Sequence, residues 1–142
     1  VLLDDAYNAN PTSVAAALDV LAATDKGKGR RIAILGDMKE LGPQAAAMHS
    51  ALAELPSMSA IDTVHCIGPL TGALYAALPP AKRGRHEQDS AALLPVLRKV
   101  IQGGDVVLVK GSLGMAMAPI VAAIRNLADS NQLTPPSAAY GG

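Results

Sequence analysis

The sequence contains no tryptophan, no phenylalanine and only three tyrosines among its 142 residues. Half of the residues are hydrophobic, so the core has to be built from aliphatic side chains and alanine packed closely between layers. The only cysteine is Cys66, which excludes an internal disulfide bond. Because it lies in the apolar run 64–67, we interpret Cys66 as a small hydrophobic residue of the core.

The chain also lacks net charge, since twelve basic and twelve acidic residues cancel. Neutrality gives no electrostatic argument for nucleic acid or an anionic membrane as a partner. No apolar run approaches the roughly 18 residues of a membrane span, and the N-terminus has no signal-peptide pattern. We therefore expect a cytoplasmic chain with no nucleic-acid partner and no membrane insertion. It opens without Met inside an apparent strand, so we also expect it to be part of a longer polypeptide.

Short apolar runs alternate with helix-period segments along the chain. This alternation predicts an α/β fold, a Rossmann-like three-layer sandwich with a mostly parallel sheet of about five or six strands and helices on both faces. We expect one domain over residues 1–128 and a flexible tail over 129–142. The predicted strands are 1–5, 31–35, 63–67 and 105–109, with a possible short strand within 79–88. The predicted helices begin at 10–11, after Pro43, at 70, at 90 (ending at 101) and near 116.

Three of the predicted strands end in polar segments: DDAYNANP at 4–11, GDMKELG at 36–42 and VKGSLG at 109–114. In a parallel sheet, ligands bind beyond the carboxyl ends of the strands, and those ends lie on one side. The three segments are therefore expected to meet at one edge. That edge is the first place to look for chemistry.

The first segment has the groups of a nucleotide site. A carboxylate such as Asp5 can accept from a ribose hydroxyl, and Tyr7 can lie against a base. Asn10 and Pro11 are suited to the N-cap and first position of a helix. The alternative interpretation is a polar turn followed by an N-cap.

The other two segments have groups suited to charged ligands. Asp37 could hold an ammonium group or cap a helix, and Lys39 and Glu40 could meet a zwitterion or simply be solvated. Lys110 directly follows an apolar strand and could stabilise developing negative charge, or could be a lysine at a sheet edge with its ammonium in water. Ser112 can donate a hydrogen bond. No G-x-x-x-x-G-K-[ST] phosphate loop, metal-ligand spacing or G-x-S-x-G is present, so no metal site or hydrolase triad is predicted.

Taken in order, these segments resemble the C-terminal domain of the Mur ligases over roughly residues 1–128. The resemblance is greatest to the family member that uses ATP and Mg²⁺ to join D-alanyl-D-alanine to UDP-MurNAc-tripeptide through an acyl phosphate. It implies a monomeric three-domain enzyme whose N-terminal domain binds the UDP-sugar. The central domain would hold most of the ATP phosphates and Mg²⁺. The third domain, this chain, would close over the site and be inactive alone.

The resemblance also implies roles for individual residues. His49 matches a family histidine that we interpret as structural rather than catalytic. Leu113 stands where many relatives have arginine, which weakens any expectation of a cationic clamp there. The implied nucleotide-binding residues are Asp5, Tyr7, Asn8 and Asn10; the implied D-alanyl-D-alanine-binding residues are Asp37, Lys110 and Ser112, with Lys110 also stabilising charge in catalysis.

Three other interpretations remain open. One is the C-terminal domain of a sister amide ligase, either another Mur ligase or a folylpolyglutamate synthase-like enzyme. Another is a stand-alone nucleotide-binding module, although no glycine-rich phosphate loop follows the first predicted strand. The third is a non-catalytic interaction domain, in which substitution of Asp5 and Lys110 would leave the parent protein's activity unchanged.

Overall fold

The computed structural model describes residues 1–5 and 9–129, without the side chains of residues 4, 5, 113, 128 and 129. Its five strands form one sheet in the order β1-β5-β2-β3-β4, and every pair of neighbours is parallel. The predicted parallel sheet is thus confirmed, including the short strand expected within 79–88. The strands are β1 Leu2–Asp5, β2 Arg31–Gly36, β3 Thr63–Ile67, β4 Arg83–Glu87 and β5 Val106–Lys110.

The described residues also form six α-helices and six 3₁₀ turns, and α6 follows the last of the five strands. Among the described residues, no helix is both long and apolar enough to cross a membrane. The α-helices are α1 Pro11–Ala23, α2 Ala45–Ala51, α3 Gly72–Ala77, α4 Ser90–Leu93, α5 Leu97–Val100 and α6 Ala118–Asp129. The 3₁₀ turns are Gly42–Gln44, Leu52–Glu54, Pro56–Ala60, Pro80–Lys82, Leu94–Val96 and Leu113–Met115.

Apolar side chains pack on both faces of the sheet. Along β2, successive residues point to opposite faces, so Ala33 and Leu35 join one core layer while Ile32 and Ile34 join the other. The first layer packs under α1, α2 and α3, and the second under α4, α5 and α6. This confirms the three-layer arrangement. Representative buried residues are Leu18, Leu21, Leu52 and Leu74 in the first layer and Leu93, Leu97, Ile120 and Ile124 in the second.

The helix predicted over 90–101 is interrupted, so that prediction was wrong in its continuity. α4 and α5 are separated by the 3₁₀ turn Leu94–Val96. Pro95 lies in that turn, where it lacks an N–H and its ring crowds the preceding turn of an α-helix. Leu93 and Leu97 remain buried in the core, which is the periodicity that suggested one helix.

Two further helix predictions need correction. The last helix begins at Ala118 rather than near Ala116, because Ala116 has a φ of 52° and cannot continue an α-helix. It extends through Asp129, and residues 130–142 of the predicted tail lie outside the described residues. In the helix after Pro43, the spacing of Met48 with Ala45, Leu52 and Leu55 predicts one apolar stripe, but Met48 is 36% exposed. His49 is fully buried instead, because its ring forms two hydrogen bonds inside the fold.

Candidate functional site

The parallel strands place the predicted polar segments side by side. β5 lies between β1 and β2, with Lys110 opposite Asp5 on one side and opposite Leu35 on the other. We define the carboxyl edge as Lys110, which ends β5, together with the described residues that follow the three strands, 9–10, 37–42 and 111–115. The structure therefore brings the three segments together as expected. Tyr7 and Asn8 lie outside the described residues, and of Asp5 only the backbone is described.

Ser112 joins all three segments by hydrogen bonds. Its backbone N–H donates to the Asp37 carbonyl at 3.3 Å, and its Oγ accepts from the backbone N–H of Lys39 at 2.9 Å. The hydroxyl is also within 3.5 Å of the Ala9 carbonyl, to which it donates. Ser112 is 9% exposed, so these contacts are shielded from water. Its observed role is to fix the carboxyl edge, while its predicted contact with substrate stays a prediction.

Lys110 is a buried lysine at the centre of this edge. It ends β5 and is only 2% exposed, so its ammonium is not solvated at a sheet edge as the alternative interpretation required. The following Gly111 is needed for packing, since a Cβ there would lie 2.7 Å from Met117 Cγ and 3.3 Å from Gly36 Cα. Lys110 therefore lies buried at the end of the middle strand of the three.

Asp37 has a buried carboxylate, and both of its oxygens accept hydrogen bonds from backbone N–H groups. Oδ1 accepts from the Thr71 N–H at 2.9 Å and Oδ2 accepts from the Leu70 N–H at 3.2 Å, and the residue is 0% exposed. The turn fits closely around it, because Gly68 has a φ of +108° and a Cβ there would lie 2.5 Å from Asp37 Cγ. Asp37 thereby holds the turn between β3 and α3. Its predicted contact with the dipeptide stays a prediction.

His49 ties the segment after β2 to α2. Its Nε2 accepts from the Met38 N–H at 2.9 Å, and its Nδ1 lies 2.7 Å from the Ala45 carbonyl. Because an N–H only donates and a carbonyl only accepts, the proton resides on Nδ1. The ring is 0% exposed. These contacts support the structural interpretation of His49.

Asn10 begins α1 as predicted. Its Oδ1 accepts from the Ser13 N–H at 2.8 Å, and Ser13 Oγ accepts from the Asn10 N–H at 3.0 Å, which forms a capping box. Pro11 occupies the first helical position. This confirms the predicted helix start, and the predicted nucleotide contact of Asn10 stays a prediction.

The turn after β3 has little local signal, because only Gly68 and Pro69 directly follow the apolar run 63–67. Thr71 is 1% exposed and its Oγ1 donates to the Gly68 carbonyl at 2.9 Å. His86 Nε2 lies 2.9 Å from the same carbonyl, and its ring stacks on Tyr75 with centroids 5.5 Å apart. The remaining contacts could not be read locally, because His86 comes from β4 and Tyr75 from α3.

Cys66 is 0% exposed, as expected for a core residue. Burial raises the pKa of its thiol to about 12, with the negative charge of Asp37 adding to the effect. A thiol with so little thiolate is a poor nucleophile and metal ligand. Across residues 1–5 and 9–129, no group of three or more His, Cys, Asp or Glu is arranged to hold a metal ion.

Comparison with known proteins gives a consistent result. Residues 1–113 match the family described as "Mur ligase, glutamate ligase domain". The chain is 38% identical over 127 residues to the UDP-N-acetylmuramoyl-tripeptide–D-alanyl-D-alanine ligase of Escherichia coli K12, covering 88% of the chain and 27% of the relative. The enzyme of the same name from Bacillus subtilis 168 is 36% identical, covering 84% of the chain and 27% of the relative. The chain thus spans about a quarter of the length of these relatives.

Solved structures show the same similarity. A crystal structure of MurF from Acinetobacter baumannii superposes with a TM-score of 0.70 at 31% identity, over 85% of this chain and 26% of that one. MurF ligase from Thermotoga maritima, solved in complex with ADP, has a TM-score of 0.73 over 92% of this chain and 29% of that one. At 23% identity, the second similarity supports the fold alone.

Proposed function

Because the chain belongs to the Mur ligase family, within its glutamate ligase domain, we propose that it is the C-terminal domain of a bacterial cytoplasmic ligase. That enzyme would use ATP to add D-alanyl-D-alanine to UDP-MurNAc-tripeptide in peptidoglycan synthesis. The names of the relatives support the reaction. The observation that carries the proposal is the meeting of the three motif segments, which Ser112 joins by hydrogen bonds.

The reaction would proceed through an acyl phosphate. The terminal carboxylate of the tripeptide attacks the γ-phosphate of ATP and ADP leaves. The amine of the dipeptide then attacks the activated carbonyl, loses a proton and expels phosphate. Such a reaction needs positioning, charge neutralisation and exclusion of water. This chain has no G-x-x-x-x-G-K-[ST] loop, so we propose that the central domain of the same polypeptide holds most of the ATP phosphates and Mg²⁺.

Lys110 would stabilise the negative charge that develops during these steps. Its ammonium is buried at the centre of the carboxyl edge, where low dielectric strengthens its interaction with an anion. A fixed charge of this kind acts without reorganisation at the moment of reaction. We therefore assign Lys110 to charge stabilisation and to the dipeptide site.

The nucleotide would lie over the end of β1. Asp5 ends that strand opposite Lys110, and the start of α1 follows at Asn10. We assign Asp5 to the ribose and Asn10, with Tyr7 and Asn8, to neighbouring parts of ATP. This assignment depends on the family resemblance and on the position of β1 at the carboxyl edge.

Asp37 and Ser112 would complete the D-alanyl-D-alanine site. The N–H of Ser112 donates to the Asp37 carbonyl, which keeps the two segments in contact. The Asp37 carboxylate is occupied by backbone donors, so we propose that it contributes by fixing the carboxyl edge.

The test is ADP release by the complete ligase, supplied with ATP, Mg²⁺ and UDP-MurNAc-tripeptide. Release should depend on D-alanyl-D-alanine, and single amino acids, glutamate included, should not replace it. Release with a single amino acid would move the chain to a sister ligase. No release with any amine would leave the nucleotide-binding interpretation. The isolated 142-residue chain should be inactive, and ligation by it would contradict the proposed division of labour.

Lys110→Ala in the complete ligase tests the assignment of the buried ammonium. We expect kcat to fall by roughly 100-fold or more, the effect of losing one preorganised group of this kind. The matched control is Lys28→Ala, which removes an exposed lysine in the loop before β2, at the opposite end of the sheet. Equal activity of the two variants would remove Lys110 from the mechanism.

A further inference from the structure

The segment 38–42, here called the β2 loop, is held in one conformation from several sides. The Met38 N–H donates to His49 and the Lys39 N–H donates to Ser112. Leu41 is partly buried against the core layer under α1 to α3. These anchors lie on both sides of Glu40. The backbone of Glu40 is therefore fixed before any ligand arrives.

Glu40 itself has a backbone conformation that is rare for its type. Its φ is 61°, in the left-handed region that residues with a Cβ seldom adopt. Strain of this kind persists only when the surrounding structure imposes it, and it is concentrated at ligand sites. The neighbouring anchors impose it here, and the strained residue lies beyond the carboxyl end of β2, where ligands of a parallel sheet bind.

The Glu40 side chain is available to a ligand, whereas that of Asp37 is not. Within the part of the chain that the structure describes, these are the two carboxylates of the carboxyl edge. Asp37 is 0% exposed with both oxygens occupied, but Glu40 is exposed and takes part in none of the described ion pairs. An incoming amine at this edge would therefore meet Glu40 and not Asp37.

We infer that Glu40 binds the ammonium group of the incoming amine through a charge-assisted hydrogen bond. This rests on the proposed function, in which that amine is the N-terminus of D-alanyl-D-alanine. The contact would orient the nitrogen toward the acyl phosphate until it loses its proton and attacks. His49 and Ser112 act through the β2 loop and are positioning residues for Glu40.

The decisive experiment is steady-state ADP release by the complete ligase and its Glu40→Gln variant. Gln keeps the size and removes the charge. We expect the KM for D-alanyl-D-alanine to rise about tenfold, which corresponds to roughly 1.4 kcal/mol, the effect of one charged contact. The KM values for ATP and UDP-MurNAc-tripeptide should stay unchanged, a separation that general loosening of the domain would not produce. Glu40→Asp should recover part of the loss, since aspartate keeps the charge and tolerates a positive φ.

Two variants complete the design. Glu54→Gln removes an exposed carboxylate from the 3₁₀ turn Leu52–Glu54, outside the carboxyl edge, and should leave all three KM values unchanged. Asp37→Asn tests the competing carboxylate. An unchanged dipeptide KM in Glu40→Gln would overturn the inference. If the KM rose with Asp37→Asn in its place, the ammonium contact would belong to Asp37. A wild-type ligase that releases no ADP with the dipeptide would instead overturn the proposed function, and the assigned ligand of Glu40 with it.

Discussion

His65 should make the stability of this chain depend on pH between about 4 and 6.5. It lies on β3, is 2% exposed, and its Nδ1 accepts from the Arg85 N–H at 2.9 Å. Nε2 is buried without a hydrogen-bond partner among the described residues. Burial, and then the positive charges of Arg30 and Arg85, lower the pKa of His65 from 6.5 to about 4. A protonated ring would also turn Nδ1 into a donor facing another donor.

The sign and size of the effect follow from proton linkage. Between pH 6.5 and about 4, the unfolded chain binds a proton at this histidine and the folded chain does not, so acidification favours unfolding. Above pH 6.5 the ring is neutral in both states and its contribution does not change. A shift of this size corresponds to roughly 3 kcal/mol of stability lost across the window, at about 1.4 kcal/mol per pH unit.

The assay is urea unfolding of the 142-residue chain and its His65→Asn variant at several pH values from 4.5 to 7.5. Asn places an oxygen near the position of Nδ1, so it can still accept from Arg85, and it does not titrate. Other titrating groups are common to both proteins and cancel in the difference. The difference in unfolding free energy should be constant above pH 6.5 and shift in favour of the variant below it. Parallel curves over the whole range would refute the argument.

Three further predictions concern the core and the carboxyl edge. Cys66 should not react with iodoacetamide in the folded chain at pH 8 and should react once urea unfolds it; rapid labelling of the folded chain would contradict its burial. Gly68→Ala should lower the free energy of unfolding by roughly 1–3 kcal/mol, because its Cβ would overlap the Asp37 carboxylate. Gly27→Ala is the control for Gly68, since Gly27 also has a positive φ but open space around it, and equal losses would attribute the effect to backbone strain alone. His49→Ala should cost about 1–3 kcal/mol in chemical denaturation by leaving a buried backbone N–H without its acceptor, and an unchanged midpoint would remove its structural role.

The strands and their class could be predicted because their signals are local. The runs 31–35, 63–67 and 105–109 are short and apolar, which is typical of strands covered by helices on both faces. Asn10 and Pro11 marked the start of α1 through capping chemistry within a few residues. An element whose formation depends on residues adjacent in sequence could therefore be predicted from the sequence pattern.

The features that could not be predicted from the sequence mostly depend on partners that are distant in sequence. Asp37 accepts hydrogen bonds from residues 33 and 34 positions later, so no local pattern could show that its carboxylate is occupied. Met48 has the hydropathy of a core residue, but hydrogen bonds to Met38 and Ala45 draw His49 inward instead. The interruption at Pro95 did have a local signal, which the leucine periodicity outweighed. The left-handed conformation of Glu40 had none.

The position of β5 has a consequence for how the molecule forms. Within residues 1–5 and 9–129, β5 is the last strand in chain order, yet it lies between β1 and β2 and is the one strand that pairs with β1. β2, β3 and β4 can pair in order as they leave the ribosome, whereas β1 must wait for almost the whole chain. The entropy cost of closing so long a loop must be met before the contacts between β1 and β5 form. Folding is therefore slow, and strand edges that are still unpaired can aggregate. The sheet and its carboxyl edge are therefore completed only when β5 pairs with both neighbours, and a nascent chain that stops before residue 106 lacks the contacts by which Ser112 joins the three segments.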